Sequence, residues 1–222
     1  MVNCALVYFI SGLGADERAF RYLRLEGVEK RFIHWLVPEK NESLREYASR
    51  LIEQIDTTQP VTLVGLSFGG IIAQEIASVI ECERVFLISS VKQLKELSEF
   101  LQLLRRTRLY RLLPFGWVKP LAIRLAPFWF DAVSERHRAL LKNIINETDN
   151  RFAQWAINAI MRWPGNSGDT PVIHIHGTHD RVFPVCYLSG YIPIKGGGHF
   201  MIVTHAKPIS ALLQKHLNPQ TI

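Results

Sequence analysis

Short apolar runs alternate with amphipathic stretches along most of the chain. Cys4–Ile10, Phe32–Val37, Val61–Leu66, Arg84–Ser89, Val172–His176 and Tyr191–Ile194 read as strands, being brief, apolar and rich in β-branched or aromatic residues. The segments between several of them read as helices. Asp16–Leu25 is one. A second starts at the N-cap Ser43, where Glu46 completes a capping box, and runs to about Ile55. Ile71–Ala77 is a third, and Pro208 fits the first turn of a closing helix through Leu217. Strands this continuously apolar are covered on both faces. The pattern therefore predicts an α/β fold with a parallel sheet of about six strands flanked by helices.

Val91–Trp163 breaks the alternation. It is helical in character, rich in Leu and aromatic residues, interrupted by Pro114, Pro120 and Pro127, and too long for a loop. A helical cap inserted after the fourth strand accounts for it. The expected organisation is a core of residues 1–90 and 166–222 with a cap over 91–165.

Charge marks the same boundary. The 222 residues carry a net charge of +6. Val91–Gly165 holds thirteen Lys/Arg against six Asp/Glu, a balance of +7, and Phe100–Phe130 contains no acid at all. Cations on a cap suit an anionic substrate. A helical wheel drawn over Phe100–Leu113 scatters arginines and leucines alike, so membrane association is not expected. No nucleic-acid motif is present. Three cysteines without a C-x-x-C pair, and no recognisable signal peptide, point to a cytoplasmic protein with reduced thiols.

The strongest chemical signal is Gly65-Leu66-Ser67-Phe68-Gly69-Gly70, a G-x-S-x-G turn between the Val61–Leu66 strand and a helix. The sharp turn strains the backbone at its tip, and the flanking glycines remove colliding Cβ atoms. Ser67 is thereby presented at a strand's carboxyl end, beside backbone N–H groups that favour developing negative charge.

A serine hydroxyl needs a base, and the base needs an orienting acid. His199, in Lys195-Gly196-Gly197-Gly198-His199, directly follows the last strand, whereas His205 and His216 fall on or near the closing helix. Asp180 follows the Val172–His176 strand, and no acid follows Arg84–Ser89. Phe68 N–H and Leu13 N–H, the latter in Ser11-Gly12-Leu13-Gly14, are the candidate oxyanion donors. Phe100, Phe115, Trp117, Phe128 and Trp129 are candidate cap contributors to the pocket.

Taken in order, these motifs resemble those of the α/β-hydrolase fold superfamily over nearly the whole chain. The resemblance implies Ser67 as nucleophile, Asp180 as acid, His199 as base and a cap over the pocket. Many relatives have His-Gly where this chain has Ser11-Gly12. The implied activity is serine hydrolysis of a carboxylic ester or thioester, with no cofactor and no metal. Acyl transfer, amide or carbon–carbon cleavage with the same triad, and a non-catalytic binding protein of the same fold, are the alternatives. His174-Ile175-His176-Gly177-Thr178-His179 also comes within one residue of a zinc-ligand motif. The expected further ligands are wanting, so a metal-dependent hydrolase built on His174, His176 and His179 is the weaker reading.

Overall fold

The computed structural model describes residues 4–111, 114–165 and 168–217. Six strands form one parallel sheet: β1 (Ala5–Ile10), β2 (Val28–Ile33), β3 (Val61–Leu66), β4 (Cys82–Ile88), β5 (Val172–Gly177) and β6 (Ile192–Ile194). Their order across the sheet is β2-β1-β3-β4-β5-β6. Helices α1 (Leu44–Leu51), α2 (Phe68–Ala77) and α6 (Asn150–Arg162) cover one face, and α7 (Met201–Thr204) and α8 (Ala206–Leu217) cover the other.

The period of two in a strand sorts side chains between these layers. Tyr8, Ile10 and Leu63 enter the core on the α2 side, and Val7, Phe9 and Val64 enter the core on the α8 side. β3 is buried along its whole length, as its unbroken apolar sequence requires. Each large side chain so buried contributes about 1.5–3 kcal/mol against exposure. The Ser43–Glu46 capping box forms as expected: Ser43 Oγ accepts from Glu46 N–H, and the Glu46 carboxylate accepts from Ser43 N–H at 2.8 Å.

Two expected elements move. The second strand is Val28–Ile33, not Phe32–Val37. Val28, Lys30 and Phe32 alternate with Glu29, Arg31 and Ile33, the mark of an edge strand paired on one side only. Trp35 and Leu36 pack against the core from a loop instead. There Trp35 Nε1 donates to Ala15 O at 3.0 Å and Tyr47 Oη bonds both the N–H and the carbonyl of Leu36. Asp16–Leu25 yields only a 3-10 turn over Glu17–Phe20, capped by Asp16.

Among the described residues, four α-helices lie between β4 and β5: α3 (Glu99–Thr107), α4 (Phe115–Trp129), α5 (Glu135–Glu147) and α6. Helix α4 runs through both Pro120 and Pro127. Phe152, Ala156, Ala159 and Trp163 of α6 and its end join the main core, while Ala126, Ala132 and Leu141 form a small cluster of their own.

Candidate active site

Ser67 sits between β3 and α2 with φ +52° and ψ −117°, a conformation that costs a non-glycine residue about 1–3 kcal/mol. The turn is close enough to require its glycines. A Cβ on Gly65 would lie 2.4 Å from Gly69 O, and one on Gly69 would lie 2.3 Å from both Ile10 O and Ser11 O. Hydrogen bonds hold the strained residue. Ser67 N–H donates to Ile88 O at 2.9 Å, and the Ser67 carbonyl accepts from Gly70 N–H at 2.9 Å and from Ser90 Oγ at 2.7 Å.

Asp180 and His199 arrive from the loops after β5 and β6. Both are nearly fully buried. Ser67 Oγ is 3.0 Å from His199 Nε2, and His199 Nδ1 is 2.8 Å from Asp180 Oδ2. The carboxylate can only accept, so Nδ1 carries a proton and Nε2 of the neutral ring is free to accept from the hydroxyl. The rings of Phe130 and Phe183 meet the His199 imidazole edge-on at 4.9 and 5.5 Å. Burial pushes the Asp180 carboxyl up. Electrostatic attraction to the His199 imidazole and hydrogen bonds from His176 and His199 outweigh that, holding it below the usual carboxylate range. Val182 N–H and Phe183 N–H add bonds to Oδ1 at 2.8 and 2.9 Å.

Behind Asp180 lie two buried histidines of β5. His176 Nε2 is 3.2 Å from Asp180 Oδ2 and 2.9 Å from Phe183 O. Both partners are acceptors, so His176 Nε2 donates and its Nδ1 accepts. His174 Nε2 is 3.1 Å from that Nδ1 and 3.0 Å from Ser90 O, so it too is the donor. His174 Nδ1 is left buried and unpartnered. Burial, reinforced by His176, pushes the His174 pKa down to about 3, so its ring is neutral at ordinary pH. The two buried histidines are thus committed to hydrogen bonds with Asp180, Phe183 and Ser90, and His179 is exposed. Among the described residues, no group of His, Cys, Asp and Glu is arranged to hold a metal ion. The available signal was period two: His174 and His176 share one face of β5, and Asp180 follows the strand's end.

A cavity of about 130 Å³ opens beside Ser67, walled by Gly12, Leu13, Leu66 and His199 on the core side and by Phe130, Leu140, Leu141 and Ile144 on the other. The wall thus comes from Phe130 and α5, not from the five aromatics expected there. Phe100, Trp117, Phe128 and Trp129 are exposed, and Phe115 faces a different groove. They lie on α3 and α4, whereas α5 is the helix turned toward Ser67. Arg18 is the one cation among the cavity's lining residues, and its guanidinium is bonded to Asp16 and Glu147. Ser11, standing where many relatives carry His, donates to Ala15 O at 2.6 Å and closes the loop that holds Leu13. Phe68 is the first residue of α2.

A helix-covered parallel sheet with a strained serine at a strand-to-helix turn, facing a histidine and a buried aspartate, is the architecture of an α/β hydrolase. The chain belongs to the Alpha/beta hydrolase family, whose model matches residues 7–212. It is a hydrolase of that family. Solved structures of the same fold include a hydrolase from Oleispira antarctica (18% identity, 96% of this chain and 91% of that one, TM-score 0.74). A thermophilic esterase from Thermogutta terrifontis is similar (17%, 97% and 90%, 0.72), as is an enol-lactonase from Burkholderia xenovorans LB400 (18%, 97% and 92%, 0.71). No curated protein matches by sequence.

Proposed function

We propose that this protein is a serine hydrolase that cleaves carboxylic esters or thioesters of short acyl groups. The observation that carries the reading is the unbroken chain Ser67 Oγ–His199 Nε2, His199 Nδ1–Asp180 Oδ2, at 3.0 and 2.8 Å. His199 takes the Ser67 proton as Oγ attacks the carbonyl carbon. Phe68 N–H and Leu13 N–H hold the oxyanion. The C–O or C–S bond then breaks, the leaving group takes the proton from His199, and the acyl group stays on Ser67. Water, deprotonated by His199, attacks the acyl-enzyme and releases the acid, and Ser67 recovers its proton. Asp180 stays ionised throughout, orienting the ring and stabilising its cation.

Cavity size sets the substrate. About 130 Å³ approaches the roughly 150 Å³ of an engineered apolar cavity that takes up benzene, so it suits an acyl group of about four to six carbons. The lining is mainly apolar and its cation is already paired, which favours a neutral acyl group over the anionic one that the cap's composition suits. The stretch 91–165 acts as the cap, with α5 closing the acyl site.

The reading is tested by labelling with a fluorophosphonate probe and measuring intact mass. One adduct is expected on the wild type and none on Ser67→Ala. Labelling that survives Ser67→Ala, or a wild type that neither labels nor turns over butanoyl esters, overturns it.

A further inference from the structure

The cap turns an apolar helix face to solvent. Helix α4 carries Trp117, Leu121, Leu125 and Phe128 at spacings that stack them on one side, and these are 81, 56, 43 and 60% exposed. Its buried contact is Ala126 on the opposite side. Single exposed apolar residues are ordinary on a soluble protein, but four in a row along a 15-residue helix are not.

Charge around this face selects its occupant. From Phe100 to Phe130 there are six cations and no acid. Arg124 lies on the face itself, and Arg106, Arg108 and Arg111 are exposed just before it in the chain, among exposed Phe100, Leu103 and Leu109. A second copy of the chain is a poor partner, because a two-fold contact would set this basic stretch, which contains no acid, against itself. A bilayer with anionic headgroups satisfies both features, taking the apolar face into its interface and pairing the arginines with phosphates. No helix among the described residues is long and apolar enough to cross a membrane, so the association is with the surface.

We propose that the exposed face of α4 docks this protein on an anionic lipid bilayer. The wheel over Phe100–Leu113 missed the face because that window straddles the end of α3, where Arg108 turns left-handed at φ +58°, and stops short of α4. The docked helix runs straight into Phe130, which walls the cavity and whose carbonyl accepts from Phe200 N–H at 3.1 Å. The bilayer would therefore adjoin the pocket. Docking itself does not depend on the reaction assigned to that pocket.

Vesicle flotation with the whole chain tests this. Each arginine at an anionic surface multiplies partitioning about fivefold, so vesicles of phosphatidylcholine with about 30 mol % phosphatidylglycerol should bind at least ~10-fold more tightly than pure phosphatidylcholine. The difference should shrink as salt rises from about 0.05 to 0.5 M. Trp117→Glu with Leu121→Glu should abolish binding while leaving the melting temperature and turnover of a soluble ester unchanged. Arg106→Gln with Arg124→Gln should weaken binding to the anionic vesicles alone. No binding to anionic vesicles, equal binding to both compositions, or binding indifferent to the double glutamate variant would each overturn the proposal. So would a dimer in light scattering that the double glutamate variant breaks, which would give the face to a second copy. Retention on polyglutamate matching that on anionic vesicles would give it to an acidic protein.

Discussion

Ser90 Oγ donates to the main-chain carbonyl of Ser67 at 2.7 Å, and the Ser90 carbonyl accepts from His174 Nε2 at 3.0 Å. These two bonds close a circuit. It leaves the Ser67 backbone through Ser90, passes through His174, His176, Asp180 and His199, and returns to Ser67 Oγ. The Ser67, Ser90 and Phe183 carbonyls and the Asp180 carboxylate can only accept, and they set the direction of the bonds between them. The strained Ser67 and the imidazole of His199 are thereby referenced to one another through two buried imidazoles.

On the proposed mechanism, His176 is a positioning residue. Replacing it removes one donor from Asp180 and leaves the carboxylate freer to turn from His199. His176→Ala is expected to lower kcat by about 10–100-fold with KM little changed, because the loss falls on the transition state. Asp180→Asn should cost more, on the order of 10⁴-fold, by favouring the wrong tautomer of His199. His179→Ala, at an exposed position, should match the wild type. Steady-state kinetics on a butanoyl ester checks all three; a raised KM with unchanged kcat for His176→Ala would contradict the assignment.

His174 makes stability depend on pH. Its folded pKa is pushed down to about 3, below the unfolded value of about 6.5. Below pH 6.5 the unfolded chain binds a proton that the folded one refuses, so stability falls as pH drops from about 6.5 towards 3. Within that window the slope from this group approaches about 1.4 kcal/mol per pH unit. Asp180, whose folded pKa is also lowered, adds its loss only at more acid pH, below its unfolded value of about 3.9. His174→Gln can keep the bond to Ser90 and has no proton to bind. Urea melts at pH 7 and 5 should show its stability falling less than that of the wild type over this interval.

On the proposed assignment of the cavity to the acyl group, Ile144 is expected to set acyl length. It stands on α5 across the cavity from Ser67. Ile144→Ala deepens the cavity by three carbons, each methylene being worth about 0.8 kcal/mol when buried. The ratio of octanoyl to butanoyl ester kcat/KM should rise by roughly 10-fold or more. Leu121→Ala, on the outer face of α4, should leave the ratio alone. Equal ratios for Ile144→Ala and wild type would place the acyl group elsewhere.

What the sequence disclosed follows from how local each feature is. The elbow, Asp180 and His199 were legible because each lies next to a strand that announces itself by an apolar run. The edge strand was misplaced because Phe32–Val37 is the more apolar stretch, yet Trp35 and Leu36 owe that character to loop packing. The cavity wall beside Ser67 was expected from other helices than the one that supplies it. Aromatic content marks Phe100, Trp117 and Phe128, but only tertiary contacts decide that α5 faces Ser67 while α4 faces solvent. The two buried histidines left a weaker metal reading open because spacing alone cannot show that their Nε2 atoms are bonded to Ser90, Phe183 and Asp180.

Two glycines beside Ser67 should fail in different ways. A Cβ at Gly69 would stand 2.3 Å from the carbonyl oxygens of Ile10 and Ser11, which belong to β1 and its end and cannot retreat without moving the sheet. Gly69→Ala should therefore lose folded protein, seen as a melting temperature lowered by many degrees. A Cβ at Gly12 would meet Ser67 Cβ at 3.6 Å and Leu66 O at 3.7 Å, ordinary contact distances. Gly12→Ala should fold with a melting temperature close to that of the wild type. Its methyl group nevertheless fills space on the core-side wall, next to the N–H of Leu13, where the proposed mechanism places the substrate's carbonyl oxygen. Loss of one oxyanion donor costs about 10²–10³ in kcat. A partial obstruction should cost less, on the order of 10-fold in kcat/KM. A Gly12→Ala variant that keeps both its stability and full activity would move the oxyanion site away from the Leu13 loop.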